Sequence, residues 1–339
     1  MPQQIRITKC RQSAMEAETP VDALVAMPLR HFSLWSRRVT DNAPDSAMMT
    51  AGVWHRQLAV LRGQARPKKE MALAKKMYTP DEQIDRLRIY NVVAGSLHLL
   101  QAIFFSVILS TLSSQVLFAV TADYLAGPPG FPIPPERVTV FEVNIGAGVV
   151  AFLALSAFFH FLISSPWFFA RYKNGLKNTH NYFRWVEYSL SSSIMIWLIL
   201  AINGVTDIGA LFAVFAINAA MIMFGALQEK YERPGSRGLV PFIFGCMVGI
   251  VPWILILIYF LRPGSASDVA IPSFVVGIVI SLFLFFNTFA INQWLQYKQV
   301  GKWKSYLQGE RAYITLSLVA KTALAWQVFS GAIIPAITG

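Results

Sequence analysis

Charge is what this chain has least of. Asp, Glu, Lys and Arg make up 14% of its 339 residues, where a soluble domain carries about 25%. That scarcity excludes a disordered chain, a coiled coil and a nucleic-acid-binding arm, and it argues against a soluble two-domain enzyme. Cysteine is nearly absent. Cys10 and Cys246 are too few and too far apart for a disulfide framework or a zinc site. No spacing of His, Cys and acid suits a metal, and there is no serine nucleophile elbow, phosphate loop or zincin motif. What remains in excess is apolar bulk. Hydrophobic residues make up 55%, with 25 Phe, 11 Tyr and 9 Trp, and the net charge of +11 is unevenly spread.

The chain divides near residue 88. Residues 1–88 hold 15 of the 29 Lys and Arg and 9 of the 18 Asp and Glu. Beyond them the charges cluster between uncharged runs at 89–122, 143–170, 188–206, 208–228, 238–261, 269–297 and 312–339, the last broken only by Lys321. A membrane crossing needs roughly 20 mostly apolar residues, since about 30 Å of hydrocarbon is spanned at 1.5 Å per residue. Seven runs meet that length. Backbone polar groups in lipid must be satisfied within the segment, so the runs read as helices. A buried core helix explains one such run and not seven in succession.

The expected fold is an all-α membrane protein, with a seven-helix domain over residues 89–339. Residues 71–88 read as a cytoplasmic lead-in. Within them Thr79-Pro80-Asp81-Glu82 has the form of a helix start, with Thr79 as cap, Pro80 first and acids in the first turn. Residues 1–70 are Arg-rich, with scattered Pro and no sustained apolar period. They read as a disordered extension or an over-long gene start, and lack the apolar core of a secretory signal. Between the first two runs, residues 126–135 are too rich in Pro and Gly for a helix. Val138-Thr-Val-Phe141 suggests a strand in a small external hairpin.

Orientation follows from Lys and Arg in the short loops. One set of alternate loops holds Arg171, Lys173, Lys177, Arg184, Lys230, Arg233, Arg237, Lys298, Lys302, Lys304 and Arg311. The other set holds only Arg137 and Arg262. The basic side is cytoplasmic and carries the N-terminal region, with the C-terminus outside.

Within the spans two charges stand out, Lys321 in the seventh and Glu187 in the third. Lys321 lies ten residues beyond Arg311, or roughly 15 Å. If the third helix begins near Lys177 or Asn178, Glu187 lies roughly 14 Å deep. The two then share a level near the bilayer centre. His98 and His160 fall at the same level, in polar stripes with Asn91 and Gln101, and with Ser156 and Ser164. Arg184 is one turn before Glu187, Ser191 one turn after it, and Ser317 one turn before Lys321. For each histidine alone, a helix–helix hydrogen bond is as good a reading as a site. An ion pair in lipid is a functional hypothesis by default. A membrane-buried lysine suits a Schiff base with an aldehyde. Its protonated form in low dielectric needs a nearby anion, which also sets the excitation energy of a conjugated chromophore. One lysine and one acid at this depth fit a retinal protein.

The segments around them point the same way. Phe183-Arg-Trp-Val-Glu-Tyr-Ser-Leu-Ser-Ser-Ser193 resembles the counterion helix of the heliorhodopsins, and the stretch from Gly309 to Gln327 around Lys321 resembles their retinal-lysine helix. Ala157-Phe-Phe-His160 and Gly249-Ile-Val-Pro-Trp253 are similar to the same family. The resemblance covers about residues 80–339. It implies a rhodopsin-like seven-helix bundle with all-trans retinal on Lys321 and Glu187 as counterion. His98, His160, Arg184 and Ser156 match the inner proton cavity, while Tyr188, Ser317 and Phe286 stand against the chromophore. It further implies a homodimer in the cell membrane, acting with a cytoplasmic signalling partner as a non-enzymatic light sensor with a slow photocycle and no net pumping. The family's inverted orientation agrees with the loop charges.

Two other functions compete. One is a light-gated proton conductance, separated from a sensor by photocurrent. The other is a lipid-modifying membrane enzyme using Lys321 and Glu187 as an acid–base pair, separated by the absence of visible colour.

Overall fold

Seven helices long and apolar enough to cross a membrane follow one another in the computed structural model. It describes residues 79–335 apart from 113–114, 131, 264 and 267–269. The expectations for residues 1–70, and for 71–78 of the lead-in, lie outside the described residues.

Helix α1 (Pro80–Thr111) starts where its sequence signature puts it. Thr79 accepts a hydrogen bond from the Glu82 amide, and the Glu82 carboxylate accepts one from the Thr79 amide at 2.8 Å. This reciprocal cap satisfies two donors that the first turn leaves open. The remaining spans are α2 (Ile145–Ser164), α4 (Tyr182–Ile202), α5 (Ile208–Tyr231), α6 (Val240–Leu261), α7 (Ser273–Lys298) and α8 (Tyr306–Val328). The last runs on through one π turn, Phe329–Ile333.

The helices start and end at other residues than the uncharged runs, α1 already at Pro80, and three of the differences bear on the site. The first run was expected to be helical to residue 122, but α1 stops at Thr111. From Leu117 the chain is strand β1 (Leu117–Tyr124), paired antiparallel with β2 (Glu136–Asn144). The run's Leu117-Phe-Ala-Val-Thr is apolar enough for either state, and the turn-rich 126–135 brings a partner strand back onto it. The second run breaks at Pro166. Proline disfavours helical backbone in the residue before it, and Ser165 is extended (φ −67°, ψ 154°). A separate short helix, α3 (Pro166–Lys177), follows. The third span begins at Tyr182, not near Lys177 or Asn178. The intervening loop ends on Asn181, which is buried and caps α4 by accepting from the Arg184 amide at 3.2 Å.

The two halves of the bundle differ in chemistry. On the hairpin side of Lys321 the interior is mostly apolar, built from Phe105, Phe152, Leu198, Ile199, Leu324 and Val328 among others, with no ionisable group among these but with Asn218 hydrogen-bonded to Ser192 and Ser193. On the opposite side, toward the basic loops, the buried residues include Asn91, Asn181, Arg184, Glu229, Asn292 and Glu310. Outward faces such as Ile250, Ile254 and Leu257 of α6 are exposed and apolar, as lipid contact requires.

Candidate functional site

Lys321 and Glu187 meet. The Lys321 ammonium donates to Glu187 Oε1 at 2.6 Å and to Ser317 Oγ at 2.9 Å, and Ser156 Oγ donates to the same carboxylate oxygen at 2.7 Å. Lys321 is 3% and Glu187 5% exposed, so each charge depends on the other and on these hydroxyls rather than on water. Ser317 reaches the amine because it lies four residues earlier on α8, one turn along the same face. The shared level is as expected, although Glu187 is only five residues into α4. The pair meets because the start of α4 is sunk in the bundle.

The histidines stand beside this pair. The His98 and His160 rings stack with centroids 5.7 Å apart and planes 14° apart. Gly95 makes room, since a Cβ there would lie 2.9 Å from that of His160. The Asn91 amide nitrogen donates to Leu87 O at 2.9 Å and to the Tyr172 hydroxyl at 3.2 Å. Its oxygen therefore faces His160 Nδ1, 2.8 Å away. An amide oxygen only accepts, so Nδ1 carries the hydrogen and Nε2 is left to accept or take up a proton. Neither ring nitrogen of His98 has a hydrogen-bond partner among the described residues. A small cavity beside His160 is bordered by Asn91, Asn181, Arg184, Glu187 and Glu310.

Arg184 is next to Glu187 in the chain's helical turn but is not its partner. Its guanidinium pairs with Glu229 at the end of α5 and Glu310 at the start of α8. Glu229 also accepts from the Asn181 amide at 2.9 Å, Trp185 Nε1 at 2.7 Å and the Tyr306 hydroxyl at 3.0 Å. Glu310 accepts from Asn181 Nδ2 at 2.6 Å. Lys321 and Glu187 are thus not the only charges inside the spans. Both further glutamates sit at the charged ends of uncharged runs, so in one dimension they read as loop residues. The available signal was Arg184 itself, a guanidinium in a span that needs an anion.

From Lys321 a second, apolar cavity runs between α4, α5, α6, α7 and α8. Tyr188, whose ring lies 5.2 Å from the Lys321 amine, forms one wall with Trp185 and Tyr313. Phe286 and Phe289 line another, and Phe242 on α6 also borders the space. Tyr188, Ser317 and Phe286 thus all border the space that begins at the amine. An apolar cavity with aromatic walls and a buried amine on its lining, that amine paired with a carboxylate, fits a polyene aldehyde in polarity and chemistry. No group of His, Cys, Asp and Glu suited to a metal ion occurs among the described residues.

Among solved structures, the chain is similar to the transmembrane domain of Salpingoeca rosetta rhodopsin phosphodiesterase. Identity is 11%, coverage 85% of this chain and 97% of that one, and the TM-score 0.47. It is also similar to thermophilic rhodopsin, at 12% identity, 75% and 95% coverage and a TM-score of 0.49. No curated protein matches the sequence. The heliorhodopsin family profile matches residues 87–333, which takes in the seven spans apart from Pro80–Arg86 at the start of the first and both members of the buried ion pair, and the chain belongs to the heliorhodopsin family.

Proposed function

We propose that this multi-pass retinal protein is a light sensor that carries all-trans retinal on Lys321 Nζ, with Glu187 as counterion. The observation that carries the reading is the 2.6 Å contact with Glu187 made by Lys321, whose side chain borders an apolar, aromatic-walled cavity. Retinal, when bound there, supplies visible absorption and a light-driven change of shape. Glu187 and Ser156 supply fixed negative charge and hydrogen bonding where a cationic nitrogen has to be held. Tyr188, Ser317 and Phe286 orient and enclose the chain of the chromophore. His160 Nε2 and the His98 ring offer proton-accepting positions on the basic-loop side.

Sensing is favoured over pumping by the contrast between the two halves. A pump needs a proton path on both sides of the amine. The hairpin half presents Phe105, Phe152, Ile196, Leu198 and Ile199, all buried, and its buried polar residues Ser193 and Asn218 bond to each other and carry no titratable group. A charge crossing such a region meets a barrier of several kcal/mol. A proton leaving the site is accordingly expected to stay among the histidines and return, and the slow return holds the signalling state. A light-gated proton conductance is the alternative, and an enzymatic role is not part of the reading. The basic-loop side is taken as cytoplasmic on the loop charges. A homodimer and a cytoplasmic partner enter from the family likeness alone.

The test is expression with added retinal followed by a visible spectrum of the wild type and of Lys321→Ala. The expected result is a visible band in the first, and in the second a folded membrane protein without one. A visible band retained in Lys321→Ala overturns the attachment site.

A further inference from the structure

The cavity beside Lys321 and the Arg184 cluster share a wall made of two aromatic rings, Trp185 and Tyr313. We infer that Trp185 is a positioning residue that carries a change of shape in the cavity to Glu229, and through Glu229 to the start of α4. The inference rests on the proposed retinal reading for the source of the shape change. The link itself stands on separate contacts.

Trp185 and Tyr313 both line the cavity, and their rings meet edge to face at 5.9 Å. Behind them lies Arg184, whose guanidinium carbon is 4.6 Å from the Trp185 ring centroid and 4.1 Å from that of Tyr313. Trp185 is also bonded to the cluster, donating Nε1–H to Glu229 Oε2 at 2.7 Å. It has little freedom to absorb a push. It is 4% exposed, and it sits so tightly on α5 that a Cβ at Gly225 would come within 2.5 Å of its ring. A cavity that changes shape against this ring displaces the indole N–H. On α6 and α7 the aromatic lining residues Phe242, Phe286 and Phe289 have no hydrogen-bonding group to displace, and the amide of Gln293 on α7 donates to Gly225 O at 3.1 Å rather than to the Arg184 cluster.

The receiving carboxylate is already committed elsewhere. Glu229 Oε2 accepts from both Trp185 Nε1 and the Asn181 amide, and Oε1 from Arg184 and Tyr306. Loss of the indole donor leaves the Asn181 amide as the main partner of Oε2, and Asn181 is the cap of α4 and the end of the loop from α3. The displacement thus arrives at residues 178–181, on the basic-loop side. Tyr188 ties the wall to the site, since its ring lies beside Lys321 and its hydroxyl donates to Tyr313 O at 2.9 Å.

The experiment is light-minus-dark infrared difference spectroscopy on the full chain in lipid with all-trans retinal, using Glu229→Asp to assign the Glu229 carboxylate band. Trp185→Phe keeps a ring against the cavity and removes the N–H. The expected result is a Glu229 band in the wild type that is lost in Trp185→Phe while the visible band remains. A wild type without a Glu229 band, or a variant with an unchanged one, overturns the inference. Gly225→Ala tests the link without light, because the new methyl group pushes on Trp185 directly. It should shift the Glu229 band in the dark spectrum, with or without retinal, and an unshifted band in a folded variant overturns the link. A wild type that forms no visible pigment defeats the retinal reading, and the dark Gly225→Ala spectrum then decides the link by itself.

Discussion

Among the described residues Glu187 is the carboxylate that touches the Lys321 amine, so its charge is the natural variable at the residue scale. In Glu187→Gln the cationic nitrogen of the retinal-loaded protein keeps hydrogen-bonding partners but loses its opposite charge. Its hold on the proton is expected to weaken by roughly 10- to 1,000-fold, the effect of one close opposite charge. Part of the visible band at neutral pH should therefore move to the near ultraviolet, and what stays visible should lie further to the red, since the positive charge is less localised. A pH titration of the spectrum checks both effects. A spectrum and titration identical to the wild type would place the counterion elsewhere. Arg184 shows the opposite lesson. Its helical spacing from Glu187 suggested a shared site, yet its charge is consumed by Glu229 and Glu310.

At the scale of elements, the β1–β2 hairpin is held at its tip by a cross-strand fork. Arg137 donates to Asp123 at 2.7 and 2.8 Å from residues directly opposite in the ladder. The hydrogen bond from Arg137 holds the Asp123 carboxyl below its usual range. A carboxyl with a lowered value in the folded state stabilises above its unfolded value, near 3.9, and loses that contribution as pH falls through the lower folded value. Hairpin amides should therefore exchange at a protection that is flat from pH 7 to about 4 and falls only below that. Asp123→Asn should show the weaker protection throughout. The pair is solvent-exposed, so the effect is small and screened by salt. Protection that falls between pH 7 and 5, or an unaffected Asp123→Asn, would show that the fork does not hold the tip.

For the whole molecule, orientation and transport are linked by the same asymmetry. A reporter fused after Gly339 should be external and one fused before Thr79 cytoplasmic; the reverse would overturn the reading of the loop charges. Illuminated cells in weakly buffered medium should show no sustained pH change. A change abolished by an uncoupler would demonstrate net pumping, and the apolar hairpin half would then have to open a path that its resting packing does not offer.

The number of spans, the hairpin, the capped start at Thr79 and the Lys321–Glu187 pair were legible in the sequence, because each has a one-dimensional signature. A run of about 20 uncharged residues, a Pro- and Gly-rich turn, a Thr-Pro-Asp-Glu start and a charge isolated in apolar surroundings all mean nearly the same thing whatever they pack against. The Arg184–Glu229–Glu310 cluster was not legible. A glutamate at the charged end of a helix looks the same whether it faces water or the bundle. Only the packing of α4, α5 and α8, which brings buried Asn181 and Arg184 to Glu229 and Glu310, shows both carboxylates in the interior. The break at Pro166 belongs between the two. Proline marks the site in the sequence, but whether a helix kinks or ends there depends on what the following segment packs on. Here α3 turns aside to bury Tyr172 and Leu176 against the bundle.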